Sequence, residues 1–233
     1  GIFNLCTEEL KYLNLNKNEL QLIKPLYTSK EINRFYTNEN NLNWIIYTDS
    51  SFKNIEKMND FPKLKYHLDR FVDVISSDNR PYGIHRARNE YFFKGEKILS
   101  LRKCVNRPLF SYVNFDSYVN QSYYVIKSER INLKYLTALL NSKLIAFWLK
   151  HKGKMQGNNF QVDKEPLLDI PIMSIKNNPK ILNKICNIVD EIIYSYQTDN
   201  RLNHISKLEE ELNKIFYSLY ELTNEDIEYL NLK

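Results

Sequence analysis

Between residues 96 and 172, short runs of β-branched and aromatic residues precede one long segment with a helical apolar stripe. The runs at 97–104, 109–114 and 122–127 predict short strands. From 133 to 150 apolar residues recur at spacings of three and four, which predicts one helix with its stripe in the core. A polar loop at 151–161 and a short strand ending at Pro171 are expected next. Strands and helices within one segment predict an α+β fold, with a small antiparallel sheet region packed with helices.

The flanking segments add further elements. Thr7 and Ser29 are placed to cap short helices, at 8–12 and 30–35. A strand is expected at 42–48 and an amphipathic helix at 61–75, and a helical hairpin at 179–196 and 202–222 is expected to end the fold. Thr223 begins a last turn, with Asp226 in the capping-box position. We therefore predict an N-terminal part at 1–59, an α+β core at 60–175 and a C-terminal helical segment at 176–233.

The composition limits the environment and the partners. The chain has 233 residues and a formal net charge of +5, which permits an anionic partner without requiring one. Its three cysteines are few and widely spaced, so neither a disulfide framework nor a metal motif is indicated, and a reducing cytoplasm fits. No run approaches the ~18 continuous apolar residues of a membrane span, so no membrane partner is expected. Because the chain begins Gly-Ile-Phe without Met, we expect it to be part of a longer protein.

Motifs for catalysis are missing from the sequence. Its five glycines form no glycine-rich cofactor loop, and the four histidines are scattered without metal-ligand spacing, so we predict no catalytic, cofactor or metal site. His67 and His204 are expected on helix surfaces. The sequence Asn-Arg-Pro-Tyr at 79–82 is similar to the Asn-Pro-Pro-Tyr motif that holds a flipped adenine. With Arg80 in place of proline and no cofactor loop before it, we interpret it as a turn.

Positive charge is concentrated between residues 80 and 107, where eight Lys or Arg stand against two Glu. Aromatic residues lie between the cations, and guanidinium groups suit phosphate oxygens and the O6 and N7 atoms of guanine. Any single cation could instead pair with a carboxylate of the fold, so the segment as a whole is the prediction. Its candidate DNA contacts are Arg80, His85, Arg86, Arg88, Arg102, Lys103 and Arg107.

The predicted loop at 151–161 is the second candidate. Its lysines suit a phosphate backbone, its amides match N6 and N7 of adenine, and Gly153 and Gly157 allow close approach to a partner. A plain solvent-exposed connection is the alternative. The candidates here are Lys152, Lys154, Gln156, Asn158, Asn159 and Gln161, with Asn120 and Gln121 beside the last strand as a weaker third group.

With these residues in view, the chain resembles the C-terminal specificity domain of TaqI-like adenine-N6 DNA methyltransferases and of type IIG restriction–modification enzymes. The most specific pair is Leu-Leu-Asn-Ser-Lys at 139–143 followed by Leu-Asp-Ile-Pro-Ile at 168–172. The other similar stretches are 1–3, 23–29, 97–102, 118–126, 135–147, 208–212 and 220–229.

The resemblance implies that the chain recognises a site on double-stranded DNA, with 60–175 as the recognition core, and is not itself an enzyme. It implies a linked upstream domain that binds S-adenosylmethionine and methylates adenine, and in type IIG enzymes also an endonuclease. The family's base-reading residues vary with the target, so the candidates above rest on side-chain chemistry alone. Two alternatives stay open, which are half of a type I restriction specificity subunit and a helical protein-interaction module.

Overall fold

The computed structural model describes residues 1–198 and 202–232, and the chain forms two compact units. The first comprises Gly1–Glu31, Glu39–Lys94 and Phe115–Val119, and the second Ile32–Asn38, Gly95–Asn114 and Asn120–Lys233. The predicted boundary between residues 59 and 60 does not coincide with this division, because 60–94 pack within the first unit. As a division by function, the three predicted segments stay a prediction.

Runs of strands are followed by runs of helices, and most strand pairs are antiparallel, which confirms the α+β class. The strands are β1 (Asn4–Cys6), β2 (Ile23–Leu26), β3 (Phe35–Tyr36), β4 (Asn43–Ile46), β5 (Lys97–Leu101), β6 (Lys103–Val105), β7 (Phe110–Val113), β8 (Tyr123–Ile126), β9 (Lys154–Gln156) and β10 (Asn159–Gln161). The α-helices are α1 (Thr7–Leu13), α2 (Pro62–Asp69), α3 (Leu133–Leu140), α4 (Lys143–Lys152), α5 (Lys164–Leu168), α6 (Pro179–Thr198), α7 (Leu202–Leu219) and α8 (Asn224–Leu232).

The first unit is built on an antiparallel sheet of order β1-β4-β2. Glu19 is buried, and its carboxylate accepts hydrogen bonds from the N–H groups of Lys63 at 2.6 Å and Leu64 at 3.3 Å. These bonds satisfy donors that the first turn of α2 leaves without helical partners. The predicted helix at 61–75 is therefore correct at its start, but α2 ends at Asp69 and a separate 3₁₀ turn follows.

The prediction that His67 lies on a helix surface is wrong. It lies on α2 but is buried, and its Nε2 is 3.0 Å from the carbonyl oxygen of Ile2. The expected helix at 30–35 is also absent. Glu31 instead accepts hydrogen bonds from the N–H and the hydroxyl of Thr28, both at 2.8 Å, and this local pairing favours a turn over a helix.

The second unit contains a four-stranded sheet of order β3-β7-β5-β8, parallel between β3 and β7 and antiparallel elsewhere. Helix α3 contacts β7 and α6, and α6 contacts α7. The leucines at 133, 136, 139 and 140 are buried in this unit's core, which confirms the α3 half of the predicted core stripe. Leu144 and Trp148 of α4 are partly buried against the same core. Helices α6 and α7 confirm the C-terminal hairpin.

The predicted single helix at 133–150 is wrong, because the chain breaks between α3 and α4. The Asn141 amide donates to the carbonyl of Phe110 at 2.7 Å and accepts from the Phe110 N–H at 3.2 Å. The Ser142 hydroxyl then accepts from the Ile145 N–H at 3.3 Å and caps α4. Two polar side chains thus redirect the helix where apolar periodicity alone predicts continuation.

Two predictions after α4 are also wrong. Residues 151–161 form the end of α4 and the antiparallel pair β9–β10 instead of a loop, and the expected strand before Pro171 is replaced by α5 and residues outside any strand.

At the C-terminus, Asp226 accepts from the Thr223 N–H at 2.9 Å and its own N–H donates to the Thr223 hydroxyl at 3.2 Å, which confirms the capping box. Within the predicted segment 176–233, residues 199–201 and 233 lie outside the described residues. No helix in the described part of the chain is long and apolar enough to cross a membrane.

The Asn141 contact gives a stability prediction. Replacing Asn141 with alanine leaves the buried N–H and carbonyl of Phe110 without this partner, so we expect the free energy of unfolding to fall by about 2–4 kcal/mol. Urea denaturation of the chain measures it. The matched control is Asn114→Ala at an exposed position, where a change comparable to that of Asn141→Ala would contradict the assignment.

Candidate nucleic-acid interface

A small antiparallel sheet of order β6-β10-β9 lies in the second unit. Its register sets residues of the three strands directly opposite one another. Lys103, Gln161 and Lys154 form one row across the sheet. Val105, Asn159 and Gln156 form the next, so two rows of three residues face the same way because side chains alternate along each strand.

The residues between these rows define the inward face. Cys104 and Phe160 are opposite each other and buried, and Met155 packs against the same core. Burial raises the pKa of the Cys104 thiol to about 11, so it is an apolar packing residue in its neutral form at physiological pH. Phe160 and Cys104 thereby anchor the sheet with its other face outward.

The outward face consists of the six residues of the two rows, and we call it the amide–lysine face. Lys154 and Val105 are its most exposed quantified members, with side-chain exposure of 75% for Lys154 and residue exposure of 72% for Val105. Lys103, Gln156 and Asn159 are also exposed, and Gln161 is half-buried. Five of the six are predicted site residues, and the structure brings them together on one surface.

The tip of the β9–β10 hairpin is held in place by a backbone hydrogen bond from Asn106, the residue after β6. Gly157 has a φ of 59°, a left-handed conformation that suits glycine at the first position of a two-residue hairpin turn. The carbonyl of Asn158, the second turn residue, accepts from the Asn106 N–H at 3.0 Å. The exposed Asn158 side chain is therefore presented from a fixed backbone.

Asp163 organises one end of the amide–lysine face. Its carboxylate accepts a hydrogen bond from Gln161 Nε2 at 2.9 Å and lies 3.9 Å from Lys154 Nζ. Gln161 is thus oriented by an internal partner, while the mostly exposed Lys154 ammonium keeps its access to solvent.

The last turn of α4 places two more lysines beside β9, because Lys150 and Lys152 lie on either side of His151. The Lys152 ammonium lies 5.7 Å from the centre of the Trp148 ring. Gly153 ends the helix where a Cβ atom would come within 2.5 Å of the Leu149 carbonyl oxygen, so the turn into β9 requires glycine.

The exposed arginines beside β6, Arg102 and Arg107, differ in their partners. Arg107 Nη1 pairs with Glu209 at 2.9 Å, and the largely buried side chain of Arg34 pairs with the same carboxylate at 3.2 Å. Burial lowers the pKa of Arg34 to about 10, which leaves it charged at neutral pH. Arg107 therefore has a structural partner, whereas the exposed Arg102 lies with its guanidinium 5.0 Å from the Tyr124 ring centre.

Asn120 and Gln121 precede β8 and are both exposed. Asn120 Oδ1 accepts from the Ser122 N–H at 2.9 Å, so this side chain shapes the turn before the strand. Gln121 stays a candidate on exposure alone.

The remaining four candidates lie in the first unit. Arg80 and Arg86 are exposed, and His85 Nδ1 is 3.2 Å from the Asp78 carboxylate. Arg88 is half-buried, donates to the Val119 carbonyl at 3.3 Å and lies over the Phe93 ring at 5.3 Å. Arg88 is therefore a packing residue in this structure, and the exposed cations of this unit stay predictions.

Val105 is the member of the amide–lysine face that the sequence analysis missed. Counting every second residue along β6 from Lys103 would have found it, but a valine in a basic segment does not signal a polar surface. Among residues 1–198 and 202–232, no three His, Cys, Asp or Glu side chains are grouped to hold a metal ion.

Three comparisons with known proteins relate this geometry to a family. Two curated relatives are the type II methyltransferases M.HincII and M.HindII of Haemophilus influenzae, each 29% identical over 91 residues. The match covers 38% of this chain but 18% of each relative, so the chain corresponds to a minor part of their length.

The fold matches a solved structure of the type IIL restriction–modification enzyme MmeI in complex with DNA. The TM-score is 0.71 at 14% sequence identity, over 100% of this chain and 34% of MmeI. At this identity the likeness concerns the fold. A family model described as the TaqI-like C-terminal specificity domain matches residues 24–172, well over half of the sequence. The chain belongs to the TaqI-like C-terminal specificity domain family.

Proposed function

We propose that this chain reads the sequence of double-stranded DNA for a larger methyltransferase, and that the amide–lysine face is its reading surface. The single observation that supports this most strongly is the register of β6, β10 and β9, which groups three amides and two lysines on one exposed surface. Family membership and the DNA complex described for MmeI support the same role.

The chemistry of the face suits the major groove. Asn159 and Gln156 are opposite each other, and a side-chain amide can bind N6 and N7 of adenine with two hydrogen bonds. Neighbouring strands are about 4.8 Å apart, so the β9–β10 ribbon suits a groove about 12 Å wide. Lys103 and Lys154 lie in the adjacent row, where ammonium groups can contact phosphates and fix the register of the protein on DNA.

The catalytic part of the parent lies outside this chain in the proposal. The names of the curated relatives support a methyltransferase. We propose transfer of a methyl group from S-adenosylmethionine to adenine N6 by a linked upstream domain in the cytoplasm, and the parent can carry an endonuclease as type IIG enzymes do. This chain's glycines occur singly at 1, 83, 95, 153 and 157, so its residues do not fit a glycine-rich loop for that cofactor.

The salt dependence of DNA binding tests the role of the lysines. In the double variant Lys103→Gln/Lys154→Gln, two phosphate contacts are lost, so we expect the slope of log K against log salt to become less negative by about 2. Fluorescence anisotropy with a labelled duplex at several salt concentrations measures the slope.

The matched control for charge is Lys180→Gln/Lys184→Gln, which removes two exposed lysines of α6. It should leave the slope unchanged. If both double variants changed the slope equally, the lysines of the amide–lysine face would hold no special position on DNA.

Sequence preference tests the amides separately. Asn159→Ala removes a base-edge contact but no charge, so we expect discrimination at one base pair to fall by about 1–3 kcal/mol while the salt slope is retained. Sequencing of duplexes selected from a random pool, with wild type and variant in parallel, measures the preference. Asn114→Ala is the control, and an unchanged preference in Asn159→Ala would argue against base reading by this residue.

A further inference from the structure

We propose that Val105 contacts the C5-methyl group of a thymine, so that the row Val105–Asn159–Gln156 reads an A·T-containing step of the target. The inference rests on the proposed function and specifies which base this row selects. Single exposed valines are common on protein surfaces, so exposure alone carries no argument. What distinguishes Val105 is its position on the amide–lysine face.

Val105 is the one apolar residue among the six of the amide–lysine face. Its direct cross-strand neighbour is Asn159, and Gln156 follows on the far strand. Directly opposite side chains have Cβ atoms about 4.5–5.5 Å apart, so an apolar group and an amide are presented side by side. In the major groove an A·T pair offers the same combination, with the N6 and N7 atoms of adenine beside the O4 and methyl group of thymine.

The backbone holds Val105 in place. It pairs with Asn159 in the sheet, and its carbonyl accepts from the Arg107 N–H at 2.8 Å. The next residue, Asn106, donates its N–H to the Asn158 carbonyl at the hairpin tip. Because valine also has few side-chain rotamers, it loses little entropy when a methyl group packs against it.

The adjacent row has the opposite character. Lys103, Gln161 and Lys154 carry two charges and an amide that is already bonded to Asp163. A thymine methyl gains nothing from an ammonium, so the apolar contact belongs to the row of Val105. The face therefore divides into a charged row for phosphates and an apolar–amide row for an A·T-containing step.

Uracil in place of thymine removes only the methyl group and tests this contact directly. The probe is a duplex selected by the 233-residue chain from a random pool, resynthesised with uracil at each thymine in turn. One substitution should weaken binding to wild type about three- to fivefold, the loss expected when one methyl group is no longer buried. Val105→Ala should bind the thymine and uracil duplexes equally at that position.

The control is Val74→Ala, the same truncation at another valine with 65% exposure, which should keep the difference between thymine and uracil. Thermal unfolding of Val105→Ala should match wild type because the side chain is on the surface. Equal binding of every uracil duplex by wild type would overturn the inference, and so would a preference for thymine that survives in Val105→Ala. Either result leaves salt-dependent DNA binding intact, so it is distinguishable from failure of the proposed function, in which no duplex would bind.

Discussion

Burial of Phe160 and Cys104 beneath the small sheet is the constraint on which the candidate site depends. Because side chains alternate along a strand, packing these two residues inward sends Lys103, Val105, Asn159 and Gln161 outward, and β9 follows through its pairing with β10. A register shift by one residue would expose Phe160 and bury Asn159 and Gln161. The same alternation of side chains therefore buries the apolar residues and exposes the polar ones. A shift in strand register is disfavoured because it would lose the apolar packing.

The rest of the second unit carries this small sheet. Asn141 joins the end of α3 to the backbone of Phe110, and Ser142 starts α4 in its new direction. Helix α4 ends at Lys152, two residues before β9 begins. The break between α3 and α4 therefore sets the position from which the β9–β10 hairpin starts. The Leu-Leu-Asn-Ser-Lys sequence that carries the family resemblance thus has a physical role as a corner between two helices, distinct from the residues proposed to contact DNA.

Sequence patterns predicted the elements that are set by residues close together in the chain. They failed where pairing with a distant strand determines the secondary structure. The helices α6 and α7 follow from apolar periodicity, the strand β4 from its β-branched and aromatic residues, and the Thr223 turn from its capping box. The β9–β10 hairpin did not, because Lys-Met-Gln and Asn-Phe-Gln have weak strand propensity. The strand β10 forms by pairing with β6, more than 50 residues earlier, and β9 forms by pairing with β10. Most residues of the amide–lysine face were found from their chemistry, but their arrangement in rows, and with it the place of Val105, depends on this long-range register.

A solved structure of the chain bound to its selected duplex would show whether the amide–lysine face reads DNA. We expect the β9–β10 ribbon to lie in the major groove, with the amides of Asn159 and Gln156 about 3 Å from base edges. Lys103 and Lys154 should lie against phosphates of the same groove. A complex in which the duplex lies on another surface, with the amide–lysine face open to solvent, would contradict it.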